Sequence, residues 1–155
     1  MLKMSPQKSK DTLKKFGEDV AYTFKGLYKT SDIIEILYNL SLIIPIVLGL
    51  VLIAFIIESN VSKIISIFAL VLTLFPLIYQ SHIKKISHYR ILANKYKDVY
   101  DEIYLRYNKN NFEISDLQTR ISELREQTSE YSINCLAKYW VDKKINKEMN
   151  LDWLK

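Results

Sequence analysis

The chain is poor in the residues that most catalytic and metal sites need. Its 155 residues hold one cysteine, two histidines and three glycines. A lone cysteine, Cys135, permits no disulfide within the chain, which fits a reducing compartment. At an apolar helical position it is expected to be a small core residue. His82 and His88 stand six residues apart, so a helix turns them to different faces, and neither has carboxylates at metal-ligand spacing. Gly17, Gly26 and Gly49 are scattered, so they build no phosphate-cradling loop. No Ser, His and Asp set stands out from background. The expectation is a protein without metal, cofactor or catalytic residues, and not an enzyme.

Charge is missing from two long stretches. Residues 36–57 contain no Asp, Glu, Lys or Arg and lie between Glu35 and Glu58. Residues 64–83 are equally free of these and lie between Lys63 and Lys84. At about 1.5 Å rise per residue, each helix of this length spans roughly 30 Å, the thickness of the bilayer hydrocarbon core. The connector from Glu58 to Lys63 suffices only to turn the chain back. In a chain this short, two such helices buried in a soluble core would lack enough protein to cover them. A cleaved signal peptide is not expected: the first apolar run starts late, is too long, and ends at Glu58-Ser59-Asn60 without a small-residue cleavage site. Neither end carries a lipidation motif.

The predicted fold is therefore an all-α membrane protein: a transmembrane helical hairpin with an N-terminal amphipathic helix and a C-terminal cytoplasmic helical hairpin or coiled coil. Three regions follow: residues 1–35, the hairpin 36–83 (spans 36–57 and 64–83), and the tail 84–155. Seven Lys or Arg flank the two outer ends (Lys25, Lys29, Lys84, Lys85, Arg90, Lys95, Lys97) against Lys63 in the loop, which predicts a multi-pass protein with both termini in the cytoplasm and the loop outside. Tyr38 and Tyr79 suit the membrane interface, and Lys84, Lys85 and Arg90 suit anionic head groups at about 1 kcal/mol per cation. The net charge of +5 is accounted for in this way. Basic residues interleave with acidic ones and no nucleic-acid motif is visible, so direct nucleic-acid binding is not expected.

Residues 1–10 are polar and are expected to be disordered. Leu13, Phe16, Val20, Phe24 and Leu27 then recur at helical spacing, a face that suits either the membrane surface or the tail. Gly26 weakens this helix. Thr30-Ser31-Asp32 is expected to break it, with Asp32 and Glu35 opening the first span as a capping box. Beyond the second span, Ile86, Tyr89, Ala93, Tyr96, Tyr100, Ile103 and Tyr107 step by 3 and 4. After the polar turn 108–111, Ile114, Leu117, Ile121, Leu124, Thr128, Tyr131 and Cys135 repeat the rhythm. These two seams either close on each other as an antiparallel hairpin or pair with other subunits. Residues 136–155 are expected to continue as helix with a frayed end.

Within the spans, Ser66, Ala69, Thr73, Pro76 and Gln80 form a small or polar face, and Ser41, Pro45 and Gly49 recur every fourth residue. Such faces serve close helix packing, or the lining of a pore once several hairpins assemble. Pro45 and Pro76 each remove a backbone hydrogen bond and favour a kink. No ionisable residue lies inside either span, which argues against a proton-coupled transporter.

The layout resembles the SLATT family of two-transmembrane effectors, which are encoded beside bacterial nucleotide-signalling and antiphage defence components. The likeness is closest over His88-Tyr89-Arg90-Ile91-Leu92-Ala93-Asn94-Lys95-Tyr96-Lys97-Asp98-Val99-Tyr100, where an Arg and an apolar-Ala pair precede a Tyr and a further apolar step. Residues 22–30, from Tyr22 to Thr30, fit less specifically. A hairpin alone is too small to enclose a path through the lipid bilayer, so any conduction requires a homo-oligomer; the resemblance implies a place in the bacterial inner membrane and a cytoplasmic sensor as partner, either a nucleotide-signalling enzyme or, in a related arrangement, a retron reverse-transcriptase complex. It also implies a lethal change of membrane permeability on activation. It carries over no catalytic residue. The competing expectation is a membrane-anchored scaffold whose heptad tail recruits a cytoplasmic partner; an unregulated holin-like toxin fits the patterned tail least.

Overall fold

A computed structural model describes residues 6–54, 59–111, 113–149 and 151–154. Their regular structure is entirely helical: α1 (Pro6–Ala54), α2 (Ser59–Asn108), α3 (Ser115–Thr128), α4 (Cys135–Glu148) and a closing 3-10 turn, Asp152–Leu154. The chain divides into two compact units, residues 1–30 with 88–155, and residues 31–87. α1 and α2 each contribute to both.

Several expectations need correction. α1 opens at Pro6, whose fixed φ and missing N–H suit a first helical turn, so residues 6–10 are helical; residues 1–5 lie outside the described ones. No break occurs at Thr30-Ser31-Asp32. The Thr30 hydroxyl donates to the Gly26 carbonyl at 2.8 Å, and the helix runs on, leaving no unpaired amides there for a capping box. The expected connector is shorter than six residues, because Ser59 to Lys63 already belong to α2; Glu58 lies outside the described residues. Pro45 and Pro76 both sit within unbroken helices.

In the unit of residues 1–30 and 88–155, the amphipathic face of α1 packs on the tail. Leu13, Val20, Phe24 and Leu27 are buried, and Phe16 is half-buried. Phe24 meets Tyr100 edge-on at 5.7 Å, Tyr28 bonds Asn94, and Lys10 and Lys14 approach the Tyr107 ring, so the two helices run antiparallel here. Of the first heptad seam, Tyr89, Ala93, Tyr96, Tyr100 and Ile103 are buried, while Ile86 and Tyr107 are half-buried. Leu92 and Val99 join them, widening the seam beyond strict heptad positions into an ordinary core-facing stripe.

α2 and α3 form the antiparallel hairpin. The turn after Asn108 places Asn110 at φ 52, a left-handed conformation that asparagine tolerates. Pairings then step in opposite directions along the two helices: Arg106 with Asp116, Glu102 with Arg120, Lys95 with Gln127, and Tyr96 with Thr128. Leu117, Ile121 and Leu124 are buried, and Ile114 is half-buried.

The second seam stops earlier than its spacing predicts. α3 ends at Thr128, whose hydroxyl bonds back to the Leu124 carbonyl and meets the Tyr96 hydroxyl. Tyr131 lies in the following turn, against Tyr89 at 5.3 Å. A new helix starts at Cys135, capped by the Asn134 side chain, which accepts from the Leu136 amide. Cys135 is exposed, not a core residue. The C-terminal end is not frayed where described: Leu151 is buried, and Trp153 packs against Tyr100, Tyr104 and Tyr107 while donating to the Tyr100 hydroxyl at 3.2 Å.

Candidate functional site

The unit of residues 31–87 differs from the other in what it leaves uncovered. Fifteen large apolar side chains between Ile36 and Leu74 are 41–68% exposed. On α1 they cover more than half of the helix circumference. Water tolerates single exposed leucines but rarely a continuous apolar surface of this extent. The stretch Gln7–Val51 contains an 18-residue window long and apolar enough to cross a membrane, and 11% of that window is buried. A core helix of a soluble protein would be mostly buried. On α2, Asn60–Leu74 is the corresponding apolar stretch among the described residues.

The least exposed face of α1 in this unit holds Ser41, which is buried, with Pro45 and Gly49 half-buried. A Cβ added at Gly49 would meet nothing within 4 Å, so no neighbouring atom requires glycine there. On α2 the less exposed face is Ser62, Ile65, Ala69 and Leu72. Ser66 and Thr73 lie beside it and are exposed. The small and polar positions expected on one face are thus split, with Ala69 inward and the two hydroxyls outward. The side chains of Pro76, Tyr79 and Gln80 lie outside the described residues, as does that of His82.

The hydroxyls of Ser41, Ser66 and Thr73 are each satisfied on their own helix. Ser41 donates to the Tyr38 carbonyl at 2.7 Å, Ser66 to Ser62 at 2.8 Å, and Thr73 to Leu70 at 2.7 Å. Back-bonding of this kind lets a hydroxyl sit in an apolar medium without a partner helix. Among the interface candidates, Tyr38 is half-buried, and Lys84, Lys85 and Arg90 are exposed.

The other unit holds polar pairs and core phenols that spacing alone did not single out. Arg106 donates to the Glu113 carbonyl at 2.8 Å and to Glu102 at 2.5 Å, and forks onto both Asp116 oxygens. Arg120 pairs with the second Glu102 oxygen. The Arg106 guanidinium holds the Asp116 carboxyl down to about 2, and the two carboxylates raise the Arg106 pKa in return. Burial pushes the phenols of Tyr89, Tyr96 and Tyr100 up, which keeps them neutral hydrogen-bonding groups in the core. Asp19 and Arg125 tie α1 to α3. Gly26, expected only to weaken α1, admits Ile133: a Cβ there would lie 2.8 Å from Ile133 Cδ1. Gly17 likewise gives Trp153 room, at 2.7 Å from its ring. The visible signals for these pairs were an Arg ten residues before an Asp across a polar turn, and glycines on the buried face of an amphipathic helix.

The Arg106–Asp116 clamp gives a pH dependence. The folded carboxyl lies below its ordinary 3.8. Its contribution is therefore present above about pH 4 and lost as pH falls towards about 2. Asp116 is half exposed; after solvent screening the contribution is about 1 kcal/mol. Amide exchange in α3 of detergent-solubilised protein should quicken across that window, and Asp116→Asn should quicken it at neutral pH and flatten the acid response.

Among the described residues, no three His, Cys, Asp or Glu side chains gather as a metal site, and no buried side-chain nitrogen or oxygen lacks a partner. A half-open cleft of about 210 Å³ lies between α1 and α4, lined by Tyr22, Thr23, Gly26, Ile133, Lys138, Val141 and Asp142. No family model, curated protein or solved structure matches the chain.

Proposed function

We propose that the protein is a bacterial antiphage membrane effector. Its residues 36–83 cross the inner membrane twice with both termini cytoplasmic, several copies assemble, and a cytoplasmic sensor triggers permeabilisation that arrests the infected cell. The observation that carries this reading is the uncovered apolar surface of residues 36–74, in a chain whose other unit closes its own core. Lipid is the environment in which such a surface costs nothing. The charge asymmetry of the flanks supports the orientation. Ser66 and Thr73 suit assembly: both face outward, one heptad apart, and each hydroxyl gives its proton to its own helix but keeps lone pairs to which a second copy or a narrow water file can donate. The resemblance of residues 88–100 to the SLATT family supports the defence setting and the sensor partner.

A scaffold function, with the hairpin as mere anchor, is the second reading; the self-contained core of residues 1–30 and 88–155 favours it. Replacing residues 36–83 by a foreign two-span hairpin separates the two. An effector loses depolarisation and toxicity on induction in bacteria, to the level of uninduced cells. A scaffold keeps its biological activity after the exchange, and that result would overturn the effector reading.

A further inference from the structure

Within the unit of residues 1–30 and 88–155, α2 and α4 each turn to solvent a face that the core does not use. On α2, Ile91, Asp98 and Leu105 recur every seven residues. With Asp101 they share an arc of about 80° at 100° per residue, and no Lys or Arg falls within it. All four are exposed, Ile91 by 50% and Leu105 by 55%. On α4, opposite the buried Ala137, Val141 and Ile145, an arc of about 80° holds Leu136, Tyr139, Lys143 and Lys147, and no acid. These four are exposed as well, Leu136 by 62% and Tyr139 by 66%. Each helix thus presents large apolar side chains with charge of one sign, and the two signs are opposite. Such a surface suits a partner that carries the complementary charge.

Spacing and direction match too. Seven residues separate Ile91 from Asp98, and seven separate Leu136 from Lys143. With Leu136 set beside Ile91 in a parallel packing, Lys143 falls beside Asp98, and Lys147 lies within one residue of Asp101. Asp101 is within reach of it: its bridge to Lys97 at 3.4 Å is an exposed i, i+4 pair, which contributes little and exchanges readily. α4 runs antiparallel to α1, since Asn134 meets Thr30, Ile133 meets Gly26, and Lys138 and Asp142 share a cleft with Tyr22 and Thr23. α1 and α2 are antiparallel as well, so α4 and α2 run the same way. Two copies turned the same way therefore bring α4 of one beside α2 of the next in parallel. We infer that the outward face of α4 binds the outward face of α2 in a second copy of this chain. The contact is heterologous: each copy keeps one face of each kind for a further neighbour, so the contact repeats and closes as a ring where the rotation allows. This surface rests on the assembly of several copies proposed above and gives that assembly a seat outside the spans.

Disulfide crosslinking of the full-length chain in membranes of expressing cells tests the contact. In a Cys135→Ser background, Ile91→Cys and Leu136→Cys are introduced together. On oxidation this variant should crosslink into dimers and higher species, whereas neither single cysteine variant should crosslink, because unlike faces meet. Adding Lys143→Glu and Lys147→Glu sets acid against acid and should lower the crosslinked fraction at least about tenfold. Copies with Leu136→Cys and these two reversals should crosslink again when co-expressed with copies bearing Ile91→Cys, Asp98→Lys and Asp101→Lys, a rescue that misfolding would not allow. No crosslink in the double-cysteine variant, a crosslink in either single variant, indifference to the charge reversal or failure of the rescue overturns the proposal. Amine crosslinking of the unmodified chain reports assembly separately. Oligomers without the disulfide between positions 91 and 136 remove only this surface, whereas a chain that stays monomeric removes the proposed assembly as well.

Discussion

Cells inducing the Thr73→Leu, Gln80→Leu double variant should keep their membrane potential, while cells inducing the unmodified protein depolarise. Thr73 is exposed, and its hydroxyl bonds back to the Leu70 carbonyl of its own helix. Leucine there makes α2 more apolar, so membrane insertion is preserved or improved. What is lost is the polar strip that a second hairpin or a column of water would use. Dye entry should fall to the level of uninduced cells, with the protein still in the membrane fraction. Thr73→Ser keeps the hydroxyl and should retain activity. Unchanged depolarisation in the double variant removes this face from conduction and leaves the spans as an anchor.

The second large effect belongs to the other unit. Ile103 is fully buried on α2, in the core shared with α3 and its Leu117 and Ile121. Truncation to alanine removes buried methyl groups and leaves a cavity, at about 2–5 kcal/mol. In full-length protein, Ile103→Ala should speed amide exchange in α3 and in the α2 segment facing it by roughly 30-fold or more, until global opening limits the rate. Leu105 is two residues away and 55% exposed; Leu105→Ala should change the same amides by less than about 0.5 kcal/mol. Equal responses at the two positions would contradict the placement of the core. Because the two variants act on residues outside 36–83, neither should release the protein from membranes.

How far the sequence could be read differs between its parts for physical reasons. Helical periodicity was legible where a face is buried throughout, as along Leu13 to Leu27 and Leu117 to Leu124. Its end was not. The spacing of Thr128, Tyr131 and Cys135 continues the rhythm by chance, while the backbone leaves the helix after Thr128 and Asn134 caps a new one. The capping signal at Asp32 misled for the complementary reason. A cap acts only where amides are unpaired, and Thr30 commits its hydroxyl to Gly26 and Asn134 inside a continuous helix. Gly17 and Gly26 read as weak points because propensity is local, whereas their role is tertiary: each leaves room for a side chain more than a hundred residues away. In the apolar unit, composition gave the long uncharged runs, but a single helical wheel could not tell which small residues point outward, and Ser66 and Ala69 turn out to differ.

The central claim is that residues 36–83 reside in lipid, and fractionation tests it most directly. Cells expressing the full chain are lysed without detergent, and the lysate is ultracentrifuged and washed with alkaline carbonate. The account predicts that the protein stays in the membrane pellet and is released only by detergent. Recovery from the supernatant as a folded, monodisperse species would contradict it.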